Sequence, residues 1–276
     1  MPLGPDDLVL CAGTLAKASF RERVTAAVAG GYRGISLFPS DVRRARAEGL
    51  DDSTMRALLA DNGLEVAELD PLMTWLPGVA PGEGAFATSE AECYEIAGTI
   101  GGRSINAVVF PTEPIPHEVV VESFAALCER AAGHGLLVHL EFMPWTQVAT
   151  ALDAFAIVDE AGQANGGIML DTWHHFRGNV SNEELRNQVP AERILACQLN
   201  DAPIEANPNV VEETLHGRRV PGDGDIDLPE ILRCLRDGGS PAPLGIEVFC
   251  DDLLGHPPDE VAIVCADGVR EALRQR

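Results

Sequence analysis

Short apolar runs alternate along the chain with longer stretches in which apolar residues recur at helical spacing. The runs are rich in Leu, Val and Ile, as is typical of strands buried on both faces. They predict strands at residues 8–14, 34–38, 65–72, 104–110, 136–142, 167–170, 194–199 and 244–249. The longer stretches predict helices at 20–29, 39–60, 89–100, 116–132, 148–161, 182–187, 228–236 and 258–273. Residues 202–222 show no periodicity and are expected to form a polar loop.

Strict alternation of strands and helices indicates right-handed parallel β–α units. Eight such units in 276 residues predict an α/β fold, a single (β/α)8 TIM barrel. The barrel is expected to form one domain over residues 1–276. A doubly wound open sheet is the alternative, but residues 11–16 (CAGTLA) are not the glycine-rich phosphate loop usual after its first strand. In a TIM barrel, the active site lies at the C-terminal ends of the strands.

The fifth to eighth strands each finish at or near a side chain that offers an oxygen ligand: Glu141, Asp171, Gln198 and Glu247. A carboxylate in an apolar strand is costly to bury unless it pairs with a cation or binds a metal. Ion pairs with arginine are the alternative, but the basic residues lie mostly on the predicted helices. We therefore expect one divalent metal here, and oxygen ligands favour Mg²⁺ or Mn²⁺ over Zn²⁺. Gln198 is the weakest of the four, because its amide can equally bind substrate.

Two further polar features are candidates for substrate contact. His174 follows Asp171 by three residues and is expected in the loop above the barrel, where it can bind substrate or transfer a proton. Arg218 and Arg219 precede a Pro-Gly-Asp-Gly turn, from which one of them can reach over the metal to a substrate oxygen. A solvated surface turn is the alternative for this second feature.

The three tryptophans, Trp75, Trp145 and Trp173, each follow the end of a predicted strand. Large aromatic side chains are usually core residues. Their shared position at the catalytic rim instead favours pocket walls, which stack on a sugar ring or cover an apolar ligand. All three are therefore predicted to bind substrate.

Net charge, hydropathy and cysteine content indicate which binding partners and which cellular compartment to expect. The formal net charge of −23 disfavours nucleic-acid binding. No apolar run reaches the roughly 18 residues needed to cross a bilayer, and the N-terminus lacks a signal-peptide pattern. The seven cysteines include no Cys-x-x-Cys pair, which favours reduced thiols and the cytoplasm. A small-molecule substrate is expected, and a homo-oligomer stays open.

These motifs resemble the xylose-isomerase-like TIM barrels of the sugar phosphate isomerase/epimerase superfamily, which also includes endonuclease IV. The matching segments are LEF at 140–142, LDxxH at 170–174, QLND at 198–201, RxxPGxGxID at 218–227 and IE at 246–247. In ketose epimerases of this family, the four strand positions bind Mn²⁺ or a similar ion. The resemblance implies that Glu141 and Glu247 act as the acid/base pair. It also implies that His174 and Arg218 contact substrate.

The chain departs from the family pattern at two positions. Gln198 stands where many members have histidine, which bears on the choice of metal and its affinity. Gln147 stands where the sugar epimerases have a substrate-contacting glutamate, which argues against a plain ketose 3-epimerase.

The expected function is a metal-dependent isomerase or epimerase of carbohydrate metabolism that acts on a sugar, keto-sugar or polyol-like hydroxy-carbonyl compound. The metal chelates the carbonyl oxygen and a neighbouring hydroxyl. One of Glu141 and Glu247 removes the proton next to the carbonyl, and the other, or His174, returns it.

Three alternatives accompany this expectation. Loss of a β-hydroxyl would instead make the protein a metal-dependent dehydratase, or lyase, of the inosose or dehydroshikimate type. A non-catalytic ligand-binding barrel also stays open. An endonuclease IV-like nuclease is disfavoured, because it needs a basic groove and more metal-binding histidines than an acidic chain with seven histidines offers.

Overall fold

Eight parallel strands close into a barrel in the computed structural model, which describes residues 2–79, 86–110 and 113–275. The strands are β1 (Leu8–Leu10), β2 (Gly34–Leu37), β3 (Glu65–Leu72), β4 (Ser104–Val108), β5 (Leu137–Glu141), β6 (Gly166–Asp171), β7 (Ile194–Leu199) and β8 (Leu244–Ile246). Each pairs with its neighbour in chain order, and β8 pairs with β1. The predicted (β/α)8 TIM barrel is confirmed.

Helices connect successive strands on the outside of the barrel. Those in the described ranges are α1 (Phe20–Ala29), α2 (Pro39–Ala47), α3 (Asp52–Asp61), α4 (Glu90–Thr99), α5 (His117–Ala132), α6 (Ala151–Ala161), α7 (Thr172–Arg177), α8 (Asn182–Gln188), α9 (Val210–His216), α10 (Leu228–Asp237) and α11 (Pro258–Gln275). Several begin at a polar residue whose side chain accepts from the backbone N–H three positions on, as Ser19, Thr150 and Ser181 do. Such caps satisfy backbone donors that a helix start leaves free.

Apolar helix faces pack on the barrel and on neighbouring helices. In α11, the side chains of Val261, Cys265 and Val269 are buried at intervals of four residues, as one face of a helix requires. That helix packs against α1, so the last helix of the chain lies beside the first. Burial of one such valine contributes about 1.5–3 kcal/mol, which fixes each helix against the barrel wall.

Two predicted elements near the barrel rim are shorter than expected. The first strand ends at Leu10, not at residue 14, and residues 12–15 form a 3₁₀ turn. Thr14 Oγ1 donates to the carbonyl of Ile246 at 2.9 Å and accepts from the N–H of Val248 at 2.9 Å. This side chain replaces strand pairing between the ends of β1 and β8. The predicted strand at 244–249 accordingly ends at Ile246.

Two predicted segments contain helices whose boundaries differ from the expectation. The helical region at 39–60 is split into α2 and α3 by a turn at Gly49, whose φ of +91° suits glycine. The loop predicted at 202–222 contains α9, which begins at Asn209, whose side chain accepts from the N–H of Glu212. The second difference matters for the site, because Val211, Thr214 and Leu215 of α9 line the cavity at the C-terminal end of the barrel.

Candidate active site

The four predicted metal ligands lie at the C-terminal ends of adjacent strands and are buried. Glu141 ends β5, Asp171 ends β6, Gln198 pairs in register with Asp171 on β7, and Glu247 follows β8 directly. One carboxylate oxygen of Glu141, one of Asp171 and one ring nitrogen of His174 lie within 4.8 Å of one another. The strand order therefore brings together side chains that are far apart in sequence.

Arg218 reaches into this cluster and links two of its carboxylates. Its Nη1 lies 2.7 Å from Asp171 Oδ2 and 3.4 Å from Glu247 Oε2. The guanidinium is held from behind, where Nε donates to the carbonyl of Thr214 and Nη2 to its hydroxyl, each at 2.9 Å. Arg219 is exposed and donates to the carbonyl of Asp223. Of the two arginines considered from the sequence, Arg218 is the one at the site.

Asp171 also begins a helix, which corrects the expectation that His174 lies in a loop. Asp171 Oδ1 accepts from the backbone N–H of His174 at 3.0 Å, so it caps α7. Burial raises the pKa of Asp171, but Arg218, His174 and hydrogen bonds together outweigh it and lower the pKa. The carboxylate is therefore ionised, and its position fixes where α7 carries His174.

Asp70 and Asn106 belong to the site, although the sequence interpretation did not select them. Asn106 Nδ2 donates to Asp70 Oδ1 at 2.8 Å and to Glu141 Oε2 at 2.6 Å. Gln198 Nε2 donates to Asp70 Oδ2 at 3.1 Å, which leaves Gln198 Oε1 without a hydrogen-bond partner among the described residues. Asp70 follows the apolar Leu69, the same pattern that selected the other ligands.

Negative charge exceeds positive charge in this cluster. Asp70, Glu141, Asp171 and Glu247 are buried around the guanidinium of Arg218; we call these four side chains the carboxylate floor. Burial, reinforced by the charge of Glu141, raises the pKa of Asp70 to about 7. Burial, reinforced by the charge of Asp70, raises the pKa of Glu247 well above its usual range. Such an excess of buried carboxyl groups is a feature of sites that hold a cation.

The donor atoms left over fit a divalent cation. Glu247 Oε1 and Gln198 Oε1 are buried and unpartnered in the part of the chain that the structure describes. Both are oxygens, as are the nearby atoms of Glu141 and Asp171, and hard divalent ions prefer oxygen. His174 adds one ring nitrogen at 3.3 Å from Glu141 Oε1, a ligand type that also suits transition metals.

A cavity of about 220 Å³ opens above the floor. Asp70, Glu141, His174, Arg218 and Glu247 form its base. Asp171 and Gln198 lie behind that base, outside the cavity lining.

The three tryptophans are placed differently from one another. Trp145 lines the cavity. Trp75 lies in the core, where its indole N–H donates to the carbonyl of Val108 at 2.8 Å and its ring packs against Phe124. Trp173 is fully buried, with its indole N–H 3.1 Å from Glu213 Oε1. The expectation of three pocket walls thus matches the position of Trp145, whereas interior hydrogen bonds hold the other two rings in the core.

Sequence comparison relates most of the chain to known enzymes. A family model described as a xylose isomerase-like TIM barrel matches residues 24–266. A 3-dehydroshikimate dehydratase of Pseudomonas aeruginosa is 28% identical over 261 residues, which are 91% of this chain and 39% of that protein. An inosose isomerase of Bacillus subtilis is 28% identical over 175 residues, 61% of this chain and 62% of that one. The chain thus spans less than two thirds of the length of either relative.

Comparison of structures supports the same architecture. The IOLI protein, solved with a zinc atom, has a TM-score of 0.86 at 20% identity, and 98% of each chain is covered. A D-psicose 3-epimerase has a TM-score of 0.70 at 17% identity, with 98% of this chain and 97% of that chain covered. The TM-scores establish a shared fold, and identities this low show the fold alone. Among the helices described, none is long and apolar enough to span a bilayer.

Proposed function

The chain belongs to the xylose isomerase-like TIM barrel family, and from this premise we propose that it is a divalent-metal-dependent isomerase or epimerase. The reaction removes a proton next to the carbonyl of a sugar, keto-sugar or polyol-like hydroxy-carbonyl compound. The observation that carries the proposal is that Glu141 and Glu247, both buried, line the same cavity. The dehydratase and isomerase names of its relatives support an enzyme.

The metal would be held by Glu141, Asp171, Gln198 and Glu247, with His174 available as a further ligand. The excess of buried carboxylates and the two unpartnered oxygens described above support this assignment. Oxygen donors favour Mn²⁺ or Mg²⁺, whereas the zinc atom in the IOLI protein shows that this fold also accepts Zn²⁺. When bound, the cation supplies Lewis-acid polarisation of the substrate carbonyl.

The side chains of this chain carry out the proton transfers. One of Glu141 and Glu247 accepts the proton from the carbon next to the carbonyl, and the other donates a proton back. His174 is a second donor, because its Nε2 lies 3.3 Å from Glu141 Oε1 and its Nδ1 has no partner among the described residues. Arg218 holds Asp171 and Glu247 in place and favours negative charge at the cavity base.

Hydrogen exchange at the carbon next to a ketone tests this proposal directly. The protein, loaded with Mn²⁺, is incubated in deuterium oxide with inososes and 3-keto sugars, and deuterium uptake is followed by NMR. We expect exchange that stops after chelation and dialysis and returns with added Mn²⁺. Full exchange by the chelated, dialysed protein would rule out the metal-dependent scheme. Binding of substrate and Mn²⁺ with no exchange would favour a non-catalytic barrel.

A dehydratase of the dehydroshikimate type is the second candidate. It is favoured by one observation, the similarity to the Pseudomonas aeruginosa dehydratase over 91% of the chain. The first proton removal is the same, but a hydroxyl leaves from the β-carbon instead of the proton returning. Mass spectrometry of the products separates the two, because dehydration gives a product lighter by one water and isomerisation leaves the mass unchanged.

A further inference from the structure

The cavity above the carboxylate floor has two chemically different parts. Its polar side chains are Asp70, Glu141, His174, Thr214, Arg218 and Glu247, and with the exception of Thr214 they form the base of the cavity. Thr214 lies beside them, because its hydroxyl accepts from Arg218. Hydroxyl and carbonyl groups of a ligand therefore find partners at one end of the cavity.

Aromatic and aliphatic side chains form the rest of the wall. The rings there are those of Phe38, Phe86, Phe110, Trp145 and Phe249. Phe38 and Phe86 pack edge to face with their centroids 5.7 Å apart. The indole N–H of Trp145 is the wall's one side-chain donor within the described ranges, and it is buried without a partner there. A polyhydroxylated ligand that filled the wall region would leave most of its hydroxyls unpaired.

The mouth of the cavity exposes apolar surface that a ligand would cover. Phe110 is 46% exposed, and Val211 and Leu215 of α9 are 42% and 38% exposed. All three line the cavity. Apolar side chains grouped at a concave opening mark a binding surface more strongly than isolated ones do.

Among the described residues, the wall away from the floor offers no cationic side chain to a phosphate group. Arg218 is the one lysine or arginine side chain lining the cavity within the described ranges, and Asp171 and Glu247 already pair with it. Lys17 is the only lysine of the chain and lies outside the lining. The cavity chemistry therefore favours an uncharged group away from the floor.

We propose that the substrate is amphipathic, with a hydroxy-carbonyl ring held at the carboxylate floor and a flat apolar group, of the size of an aryl ring, held between the aromatic walls. This inference rests on the proposed function, which supplies the hydroxy-carbonyl end. It adds that the natural substrate is a conjugate, such as an aryl keto-glycoside, and not a free sugar.

Two ligands with the same reacting end test the inference. Methyl and phenyl 3-keto-β-D-glucopyranoside share the ketone and its neighbouring hydroxyls and differ in the aglycone. Their dissociation constants for the Mn²⁺-loaded protein are measured by calorimetry, and deuterium exchange next to the ketone is followed separately. We expect the phenyl compound to bind at least about tenfold more tightly, the usual discrimination of an apolar pocket.

Two leucine variants locate the effect. Leu215→Ser changes the cavity mouth, whereas Leu254→Ser changes a leucine of similar exposure, 47% against 38%, that lies outside the lining. The phenyl preference should fall in the first variant and persist in the second. Phe110→Ser is a second mouth variant for the case in which Leu215→Ser does not fold.

The outcomes separate this inference from the proposed function. If both ligands exchange deuterium and bind with equal affinity, the proposed reaction is upheld and the amphipathic substrate is overturned. Tighter phenyl binding without exchange of either ligand upholds the pocket and rejects the reaction. A phenyl preference that falls equally in the Leu215→Ser and Leu254→Ser proteins also overturns the inference.

Discussion

Two layers of polar side chains lie inside the barrel, and they are satisfied in different ways. The carboxylate floor lies at the strand ends. Glu68, Ser104 and His139 form a lower layer, because each precedes a residue of the site by two positions on its strand and so faces the same side. Both layers are buried within a closed barrel, so a difference in their hydrogen-bond partners indicates a difference in function.

The lower layer finds its partners within the protein. The ring nitrogens of His139 lie 2.8 Å from Ser104 Oγ and 3.2 Å from Asn106 Oδ1. Burial, helped by Arg103, lowers the pKa of His139 to about 3, so the ring is neutral. Glu68 Oε1 accepts from the thiol of Cys11. The floor, in contrast, leaves Glu247 Oε1 without a hydrogen-bond partner among the described residues. This difference favours a structural role for the lower layer and agrees with the ligand-binding role proposed for the floor.

Substitution of one glutamate in each layer gives the largest expected contrast. Glu247→Gln removes a proton-transferring carboxylate and should lower the exchange rate by roughly a hundred- to ten-thousand-fold. Glu68→Gln is the matched change one layer down and should leave the rate within a few-fold of wild type. Both rates come from the deuterium exchange assay with Mn²⁺ present. Equal losses in the two proteins would remove the functional distinction between the layers.

Removal of the guanidinium that pairs with the floor should be the next largest effect. Arg218→Met leaves Asp171 and Glu247 without their buried partner, which typically costs about 3–5 kcal/mol of unfolding free energy. Mn²⁺ should recover much of this loss, because the cation replaces the missing positive charge. Urea unfolding with EDTA and with Mn²⁺ measures both quantities, and Arg219→Met is the exposed neighbouring control. A loss that Mn²⁺ does not reduce would contradict a cation site at the floor.

The pH dependence of stability tests whether Glu68 of the lower layer is protonated in the folded protein. Burial, reinforced by the charge of Asp70, raises the pKa of Glu68 from its ordinary 4.5 to about 8. Between these values the unfolded chain releases a proton that the folded chain keeps, so this carboxyl lowers the stability of the wild type progressively as pH rises.

Glu68→Gln removes that pH-dependent penalty. The variant should gain on the wild type between pH 5 and pH 8, by an amount on the order of a few kcal/mol. Thermal unfolding of the metal-free proteins at several pH values measures the gain. A stability difference that does not change with pH would show that Glu68 ionises normally in the folded protein.

The smallest expected effect comes from the hydroxyl of the lower layer. Ser104 Oγ bonds to the carbonyl of Ala67 at 2.9 Å and contacts His139. Ser104→Ala removes both hydrogen bonds and should lower the unfolding free energy by about 2 kcal/mol, about 1 kcal/mol for each, without changing catalysis. Denaturant unfolding and the exchange assay together check this. A large loss of activity would join Ser104 to the functional layer.

The pattern of buried strands made the fold and four ligand candidates predictable from the sequence. In a parallel barrel, a carboxylate or amide that ends an apolar run is predicted to lie at the C-terminal end of a strand, as Asp171 does after Leu170. Asp70 also follows an apolar residue, but it lies two positions before the end of the strand predicted at 65–72, so the rule for strand ends does not select it. Asn106 became part of the site through its two side-chain bonds, which depend on the closeness of β3, β4 and β5 and not on local sequence.

Tertiary contacts also decided the features that the sequence interpretation missed. α9 is only seven residues long, and its place depends on Trp173 and Arg177, which both bond to its Glu213. The position of Trp75 depends on Val108, a residue of the next strand. Local periodicity does not predict such long-range contacts. Helix α9 and the placement of the tryptophans in the wall or the core could therefore be identified only from the structure.

The arrangement of rings around His174 makes the site visible to spectroscopy. Trp145 and Trp173 lie 5.9 Å apart, and each centroid is 5.3 Å from the His174 imidazole. A ligand bound in the cavity would change the surroundings of Trp145, which lines it. The remaining tryptophan, Trp75, packs elsewhere against Phe124 and supplies a steady background. Intrinsic fluorescence therefore reports ligand binding in the cavity without any added label.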